Sequence, residues 1–224
     1  MFRLIASATA LLWAIPGALA DLDLRRLQAG VFLYAAPGLE APNFTESVVL
    51  LVQHGEEGSL GLIVNRPTEV PVREAVTELG EVRGLDLKLN FGGPVQPEAV
   101  LALVRSARPV DGALRVMPDV YFSTDLGQLK EAARGPEASS RLRVYAGYAG
   151  WSQGQLAGEL RRRAWVVGPA DARSVFTSDP DALWPRVHDL LRRIEVRLVP
   201  EPAGVGRSRR GDILPGETPR PRAG

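Results

Sequence analysis

RVYAGYAGWSQGQLAGELRRRAW, residues 143–165, passes from a strand pattern through a glycine-rich turn into a helix pattern. Together with the two residues before it, its first part is typical of a strand, and a helix is predicted to begin near Gly154. The pentapeptide Gly150-Trp151-Ser152-Gln153-Gly154 also spells the Gly-x-Ser-x-Gly of a hydrolase nucleophile elbow. The stretch therefore has two interpretations, a catalytic serine or a backbone hinge.

A serine hydrolase would pair Ser152 with His188, and three carboxylates fit the acid-then-histidine order of α/β-hydrolases: Asp171, Asp179 and Asp181. That fold reaches its histidine only after several more βα units, whereas His188 lies inside a predicted helix. The sequence has no His-Gly-Gly-Gly loop to supply oxyanion donors. We therefore predict no catalytic residue, and we interpret the glycines at 147, 150 and 154 as hinges between strand and helix.

Composition fits one folded domain with appendages. The chain has 224 residues, of which 45% are hydrophobic and 24% are charged, and its formal net charge is +1. So small a net charge gives no overall field that would steer the protein onto nucleic acid. The chain has no cysteine, which excludes disulfides, thiolate metal sites and cysteine nucleophiles.

Short strands mixed with helices predict the fold class. Helices are predicted at residues 70–79, 125–134 with Asp125 as cap, from about 154, and at 182–193, with a helical turn opened by Asp171. Strands are predicted at 30–37, 47–53, 59–65, 100–106, 113–117, 119–123, 141–147 and 164–168. Because the strands do not alternate regularly with long helices, the pattern favours an α+β fold around a mainly antiparallel sheet.

The two ends of the chain differ from the middle. Residues 1–20 have a basic start, an apolar run of about twelve residues and the small-x-small pattern Ala18-Leu19-Ala20, which predicts a cleaved secretory signal peptide. A membrane-spanning helix needs about 20 residues, so an anchor fits less well; a wrongly assigned start codon is the other alternative. Residues 200–224 are rich in proline, glycine and arginine and are predicted to be a disordered tail, which leaves residues 21–199 as the folded domain.

Several short motifs in fixed order resemble the YqgE/AlgH family of bacterial proteins. They are Asn43-Phe44, the segment 61–67 (GLIVNRP), the segment 91–95 (FGGPV), the segment 147–156 (GYAGWSQGQL) and Ala164-Trp165. The resemblance implies a single α+β domain whose mainly antiparallel, bifurcated sheet forms a pseudo-barrel flanked by helices. It implies no accepted enzymatic activity, although members often carry the label of transcriptional regulator.

Seven residues are candidates for binding a ligand or partner. Asn65 and Arg66 end a strand with an amide and a planar donor fork that could hold a carboxylate or phosphate, although a strand-ending turn fits them better. Gly92 and Gly93 could form a small anion-binding nest, and a tight turn fits them better. The remaining three could line a groove, although core packing is the better interpretation of Trp151: Tyr148, Trp151 and Gln155.

Other kinds of site have weaker support. His54 with Glu56 and Glu57 lacks the spacing of metal ligands, so we predict a polar hairpin turn, no metal site and no cofactor. The run at residues 161–163 (RRR) is typical of a solvated helix end, and no helix-turn-helix pattern is present, so nucleic-acid binding is not expected. We expect a binding or regulatory domain in the cell envelope, periplasmic or secreted, without a transmembrane anchor after signal cleavage. It is expected to act by binding a protein or small-molecule partner that the sequence does not name. A serine hydrolase and a cytoplasmic transcriptional regulator are the alternatives.

Overall fold

The computed structural model describes residues 24–79, 86–134 and 137–189. Its first part is an antiparallel meander of three strands: β1 (Val31–Ala35), β2 (Val48–Gly55) and β3 (Gly58–Ile63). All five residues from Val48 to Val52 of β2 are buried. A continuous apolar run of this kind is typical of a strand covered on both faces, and alternate side chains of β2 do enter two different core clusters.

Seven further strands complete the sheet: β4 (Pro67–Pro71), β5 (Lys88–Phe91), β6 (Val95–Arg105), β7 (Leu114–Met117), β8 (Val120–Ser123), β9 (Leu142–Trp151) and β10 (Trp165–Pro169). The main path runs β10-β1-β2-β3-β9-β6-β8-β7. All pairings along this path are antiparallel, and the sheet is not closed. It curls enough that a Cβ atom on Gly30, just before β1, would lie 2.7 Å from the carbonyl oxygen of Val116 in β7.

The sheet divides at β9. One edge of β9 pairs with β6 along most of its length. The other edge pairs antiparallel with β3 at residues 149–151, and parallel with β5 at Tyr145 and Ala146. Strand β4 pairs only with β5, so β4 and β5 form a branch off the main path. The expected α+β fold with a bifurcated, mainly antiparallel sheet is confirmed. The sheet is open: its two end strands, β10 and β7, do not pair with each other.

Short helices flank the sheet. They are α1 (Val72–Ala75), a 3-10 turn (Thr77–Leu79), α2 (Leu126–Ala133), α3 (Ala138–Arg141), α4 (Gln155–Arg161) and α5 (Ala172–Val175), and residues 183–189 are also helical. The predicted caps are confirmed, since Asp125 accepts a hydrogen bond from the Gln128 N–H and Asp171 accepts one from the Ser174 N–H, each 2.9 Å long. None of the helices in the described residues is long and apolar enough to span a membrane.

Three apolar clusters form the core. The first contains the fully buried Tyr145 together with Phe176 and Leu183. The second packs α2 and α3 against β6 and β9. The third surrounds Trp151 and Trp165 and includes Leu156 and Leu160 of α4. The stretch at 143–165 therefore contributes to all three clusters.

Two segments differ from the sequence-based prediction. The predicted helix at 70–79 is instead the end of β4, one turn of helix and a 3-10 turn, because Pro71 and the pairing of Pro71 with Lys88 keep the chain extended before Val72. Residues 148–151, which the sequence predicts to be part of a glycine-rich turn, instead continue the strand to Trp151. They remain extended because Tyr148 pairs with β6 on one side and residues 149–151 pair with β3 on the other. The turn itself is confined to residues 152–154.

Several predictions lie outside the described residues: the signal peptide at 1–20, the tail at 200–224, the helix stops at Gly80 and Gly135-Pro136, and the end of the last helix after residue 189. Two strands were not predicted. Both β4 and β5 lack an apolar alternation, and β4 begins and ends with proline.

Candidate functional site

Ser152 lies in the turn between β9 and α4 and is exposed. Its hydroxyl and its backbone N–H both donate to Oε1 of Gln155, at 3.2 and 3.1 Å. A nucleophile elbow places its strained backbone at the serine. In this turn the positive φ falls on Gly154 instead, at 75°, and Ser152 is not among the residues with positive φ.

His188 is engaged elsewhere. Its ring stacks on Trp184, with 4.8 Å between centroids and 8° between planes, and the Trp184 indole donates to the carbonyl of Ala35 at 2.8 Å. Among the described residues, no hydrogen bond joins Ser152 to a histidine. The arrangement required of a Ser152–His188 pair is therefore not assembled.

Glu159 on α4 is the centre of a polar network at the edge of the core. Its Oε2 accepts hydrogen bonds from the indole nitrogens of both Trp151 and Trp165, each 2.8 Å long. Its Oε1 accepts one from Nε2 of Gln155 at 3.0 Å. The network fixes the position of α4 against β9 and β10, and it assigns Gln155 to this structural role.

Three aromatic rings pack against one another beside the Glu159 carboxylate: those of Phe44, Trp151 and Trp165. The two indoles meet edge to face at 5.9 Å between centroids, and Phe44 stacks on Trp151 at 6.2 Å. Trp151 is 6% exposed and Trp165 is 3% exposed. One carboxylate oxygen thus satisfies two indole donors that would otherwise be buried without a partner. Glu159 was not predicted from the sequence; its position on the same helix face as Leu156 and Leu160 was the available signal.

A pocket of about 400 Å³ lies between the β2–β3 hairpin and the end of β9. Two of the predicted candidates, Tyr148 and Trp151, line this pocket, and Gln155 does not. The Tyr148 ring lies over Gly150, where an added Cβ atom would come within 3.3 Å of it. The other walls are the apolar residues Leu60 and Val95 and three polar residues of the hairpin: Gln53, Glu57 and Ser59.

His54 and Ser59 are cross-strand partners beside this pocket. They face each other in the β2–β3 register, and His54 Nδ1 lies 2.7 Å from the hydroxyl oxygen of Ser59. The other ring nitrogen of His54 makes no hydrogen bond with a residue that the structure describes. The described residues also contain no group of three or more histidine and carboxylate side chains that could hold a metal ion.

The side chains of Asn65 and Arg66 form hydrogen bonds with the backbone of the segment that joins β1 to β2. The buried Asn65 accepts from the Val48 N–H at 2.8 Å and donates to the carbonyl of Glu46 at 2.9 Å. Both terminal nitrogens of Arg66 donate to carbonyls of the same loop at 2.6 Å, those of Asn43 and Thr45. Burial lowers the pKa of Arg66. Both side chains have backbone partners about twenty positions away, so they act as ties between segments of the fold.

Gly92 and Gly93 are buried where β5 passes β9. The Gly92 N–H donates to the carbonyl of Ala146, and its own carbonyl accepts from Ile63, both at 2.9 Å. A Cβ atom on Gly92 would lie 2.2 Å from the carbonyl oxygen of Gly147. The two glycines therefore permit a close crossing of backbones, and the Gly92 amide is not directed at a ligand.

Burial also shifts the pKa of two side chains near the middle of β9, raising that of Tyr145 and lowering that of Arg143. The hydroxyl of Tyr145 is enclosed in the first core cluster, and desolvation raises its pKa although the nearby charge of Arg143 opposes the shift. Arg143 donates to the carbonyls of Phe176 and Thr177 at 2.9 and 3.0 Å, and its guanidinium lies 5.5 Å above the Phe176 ring. Arg143 thereby holds the segment after α5 against the sheet.

The fold and the site together define the class of protein: a mixed α+β domain with an open, branched sheet and a surface pocket. Its described residues do not assemble the Ser152–His188 pair that the serine-hydrolase alternative requires. A family model described as AlgH-like matches residues 32–196. The chain belongs to this family, which confirms the resemblance seen in its motifs.

Relatives and solved structures agree with this membership. The chain is 38% identical over 161 residues to a UPF0301 protein of Chlorobaculum tepidum, covering 71% of this chain and 84% of the relative. It is 35% identical over 187 residues to one of Methylococcus capsulatus, covering 80% and 96%. The solution structure of AlgH from Pseudomonas aeruginosa matches with a TM-score of 0.58 and 28% identity, covering 80% of this chain and 95% of that one.

A crystal structure of a Corynebacterium diphtheriae protein matches equally well, with a TM-score of 0.59 and 27% identity over 81% of this chain and 94% of the other. The names of these proteins state no reaction, ligand or partner. They support the fold and the family, and they indicate no catalytic function.

Proposed function

We propose that this chain is a binding domain whose ligand site is the pocket between the β2–β3 hairpin and the end of β9. The observation that carries the proposal is the lining of this pocket by an aromatic residue that is not fully buried, Tyr148, together with a residue that carries a carboxylate, Glu57. Concave sites with apolar walls and a few polar groups are the usual places for small ligands.

The chemistry of the lining favours a ligand with a flat or apolar body and a positively charged nitrogen. Glu57 is the one charged residue among the described residues of the lining, and it makes no ion pair with another described residue. Trp151 also borders the pocket, but its ring is 6% exposed and packs in the third core cluster, so Tyr148 is the aromatic ring that a ligand can contact. Aromatic rings beside a carboxylate attract an ammonium or guanidinium group.

The test compares phenethylamine, which is a cation, with its neutral isostere 2-phenylethanol in NMR titrations of the full chain. We expect saturable shifts of signals from the pocket residues and weaker binding of the alcohol. Replacing Glu57→Gln should weaken phenethylamine binding about fivefold, as for an exposed charge pair. Glu56→Gln is the matched control, since Glu56 is in the same turn and outside the lining. Equal binding of both compounds, or equal effects of the two substitutions, would contradict the proposal.

A serine hydrolase is the second candidate function. The observation in its favour is the 2.7 Å contact between His54 Nδ1 and the Ser59 hydroxyl at the edge of this pocket, which is within the reach of general-base catalysis. A fluorophosphonate probe should label Ser59 if this pair is reactive, and Ser152 if the pentapeptide is. We expect no labelling of either serine; labelling that Ser59→Ala or Ser152→Ala abolishes would replace the binding proposal with catalysis.

We also propose that the protein is exported, on the basis of the signal pattern in residues 1–20. Cleavage after Ala20 would place the domain in the cell envelope and away from the chromosome, so a role as transcriptional regulator would be excluded. Sequencing the N-terminus of the natural protein tests this proposal. Recovery of Met1 on protein from the cytoplasmic fraction would overturn it and restore the regulator as an alternative.

A further inference from the structure

The end of β9 has one edge that β6 does not cover. The pairing of β6 with β9 ends at Val95 and Tyr148, whereas β3 pairs with the opposite edge of β9 as far as Trp151. Gly150 lies beyond the end of the β6 pairing, is half-buried and lines the pocket beside the β2–β3 hairpin. We propose, resting on the proposed binding function of this pocket, that its ligand is an arginine-containing extended peptide that pairs with Gly150 as an added β-strand.

The direction of the Gly150 backbone groups follows from its neighbour. A Cβ atom added to Gly58, next to the Ser59–Trp151 pair, would collide with the carbonyl oxygen of Trp151. The Trp151 carbonyl therefore points toward β3. In an extended antiparallel strand, successive residues direct their N–H and C=O groups alternately to the two edges. The N–H and C=O of Gly150 therefore point to the edge away from β3.

The segment before β6 does not occupy this edge. Gly93 lies against Tyr148 and Ala149, since an added Cβ atom on Gly93 would collide with their backbone, and Pro94 has no N–H to donate. Among the described residues, no hydrogen bond formed outside the paired strands uses the backbone of Gly150. One residue of an added strand can exchange two hydrogen bonds with such an edge, which is how extended peptides join exposed sheets.

The chemistry of the pocket selects the side chain of the added residue. Residues opposite each other on antiparallel strands place their side chains on the same face of the sheet. On the face of Gly150 lies the Tyr148 ring, 3.3 Å from the position of an added Cβ atom. Glu57 lines the same pocket and makes no ion pair with another described residue. Arginine suits both groups, because its planar guanidinium stacks on aromatic rings and binds carboxylates.

Amide hydrogen exchange tests whether this edge is open. In the free chain, the N–H of Gly150 should exchange about tenfold faster than that of Ala149, relative to their intrinsic rates, because Ala149 pairs with Gly61 of β3. Saturation with N-acetyl-L-arginine N-methylamide should slow the Gly150 N–H more than that of Ala149. Equal protection of the two N–H groups in the free chain would mean that the edge is already paired, and would overturn the proposal.

NMR titrations of the full chain compare this arginine compound with its D-enantiomer and with butylguanidine, which has the side chain without the peptide groups. The L-compound should bind about tenfold more tightly than butylguanidine, through its backbone hydrogen bonds. The D-enantiomer has the same groups but directs its side chain to the opposite face when its backbone pairs with Gly150. It should therefore bind about fivefold more weakly than the L-compound.

The outcomes separate this proposal from the proposed function. Equal binding of the two enantiomers, or no gain of the L-compound over butylguanidine, would overturn the peptide ligand and leave the binding of small cations to the pocket standing. If none of these three compounds binds, and phenethylamine does not bind either, both proposals fail.

Discussion

Gly93 and Gly147 meet backbone against backbone, so that a Cβ atom on Gly147 would lie only 2.5 Å from the carbonyl oxygen of Gly93. Gly147 is also in the left-handed region, with a φ of 67°. The contact lies where β9 passes from its pairing with β5 to its pairing with β3. The branching of the sheet therefore depends on a residue without a side chain at this position.

Gly147→Ala should destabilise the domain by about 3 kcal/mol, because the left-handed backbone and the backbone clash both penalise a Cβ atom. Gly154→Ala is the matched control. Gly154 has a similar φ of 75°, but an added Cβ atom there would meet nothing within 4 Å, so about 1 kcal/mol is expected. Urea unfolding of both variants measures the difference. Equal losses would mean that the crossing with Gly93 tolerates a side chain.

The sequence was sufficient for the strands that are buried or regularly alternating. The apolar run of β2 and the capping carboxylate of Asp125 are local sequence patterns, and each forms the structure that it predicts. The branch formed by β4 and β5 was not predictable, since its pairing is set by contacts with a strand more than fifty positions away. Non-local pairing of this kind overrides local propensity.

Only some residues of the candidate site were predictable from the sequence. Tyr148 and Trp151 are aromatic residues on a glycine-rich segment, and composition alone made them candidates for a groove. The sequence suggests no role for Glu57 other than that of a metal ligand, because its position in the pocket depends on the register between β3 and β9. The sequence favours a local turn for Asn65, whereas its partners are Glu46 in the loop before β2 and Val48, the first residue of β2.

Asn65→Ala should destabilise the domain by about 2 kcal/mol, because it leaves the buried N–H of Val48 without its acceptor. Hydrogen exchange should also accelerate in the loop that Asn65 and Arg66 hold. Asn43→Ala provides the control in the same loop. The Asn43 side chain is exposed and only its carbonyl is used, so its replacement should change the free energy of unfolding by less than about 0.5 kcal/mol. Similar effects of the two substitutions would contradict the assignment.

Glu159→Leu should cost about 3 kcal/mol, since two buried indole N–H groups lose their common acceptor. Glu159→Gln keeps one carbonyl oxygen for both indoles and should cost about 1 kcal/mol through the loss of charge. Thermal unfolding and near-ultraviolet circular dichroism report both effects. In a Trp165→Phe background, Glu159→Leu should cost less than in the parent, because only one buried indole donor then loses its acceptor. An equal cost of Glu159→Leu in the two backgrounds would indicate that Glu159 acts through packing alone.

Asp171 should make stability depend on pH on the acid side. Burial acts to raise the pKa of Asp171, but hydrogen bonds from the Ser174 hydroxyl and from the N–H groups of Ser174 and Arg173, together with the charge of Arg173, outweigh it and lower this pKa. A carboxyl group whose pKa is lower in the folded state stabilises the fold above its unfolded pKa, about 3.9. This contribution is lost as the pH falls through the folded pKa.

Asp171→Asn keeps an oxygen for the cap and removes the charge, so the parent should be more stable at pH 7 and the difference should fade as the pH is lowered below about 3.9. Denaturant unfolding at several pH values measures this, and a difference that stays constant with pH would refute it.

The same substitution has a second readout. Burial first, and then the charge of Asp171, raise the pKa of Tyr34 to about 12. In the Asp171→Asn variant, the ultraviolet titration of Tyr34 should move to lower pH yet remain above about 10, because burial is the larger of the two causes.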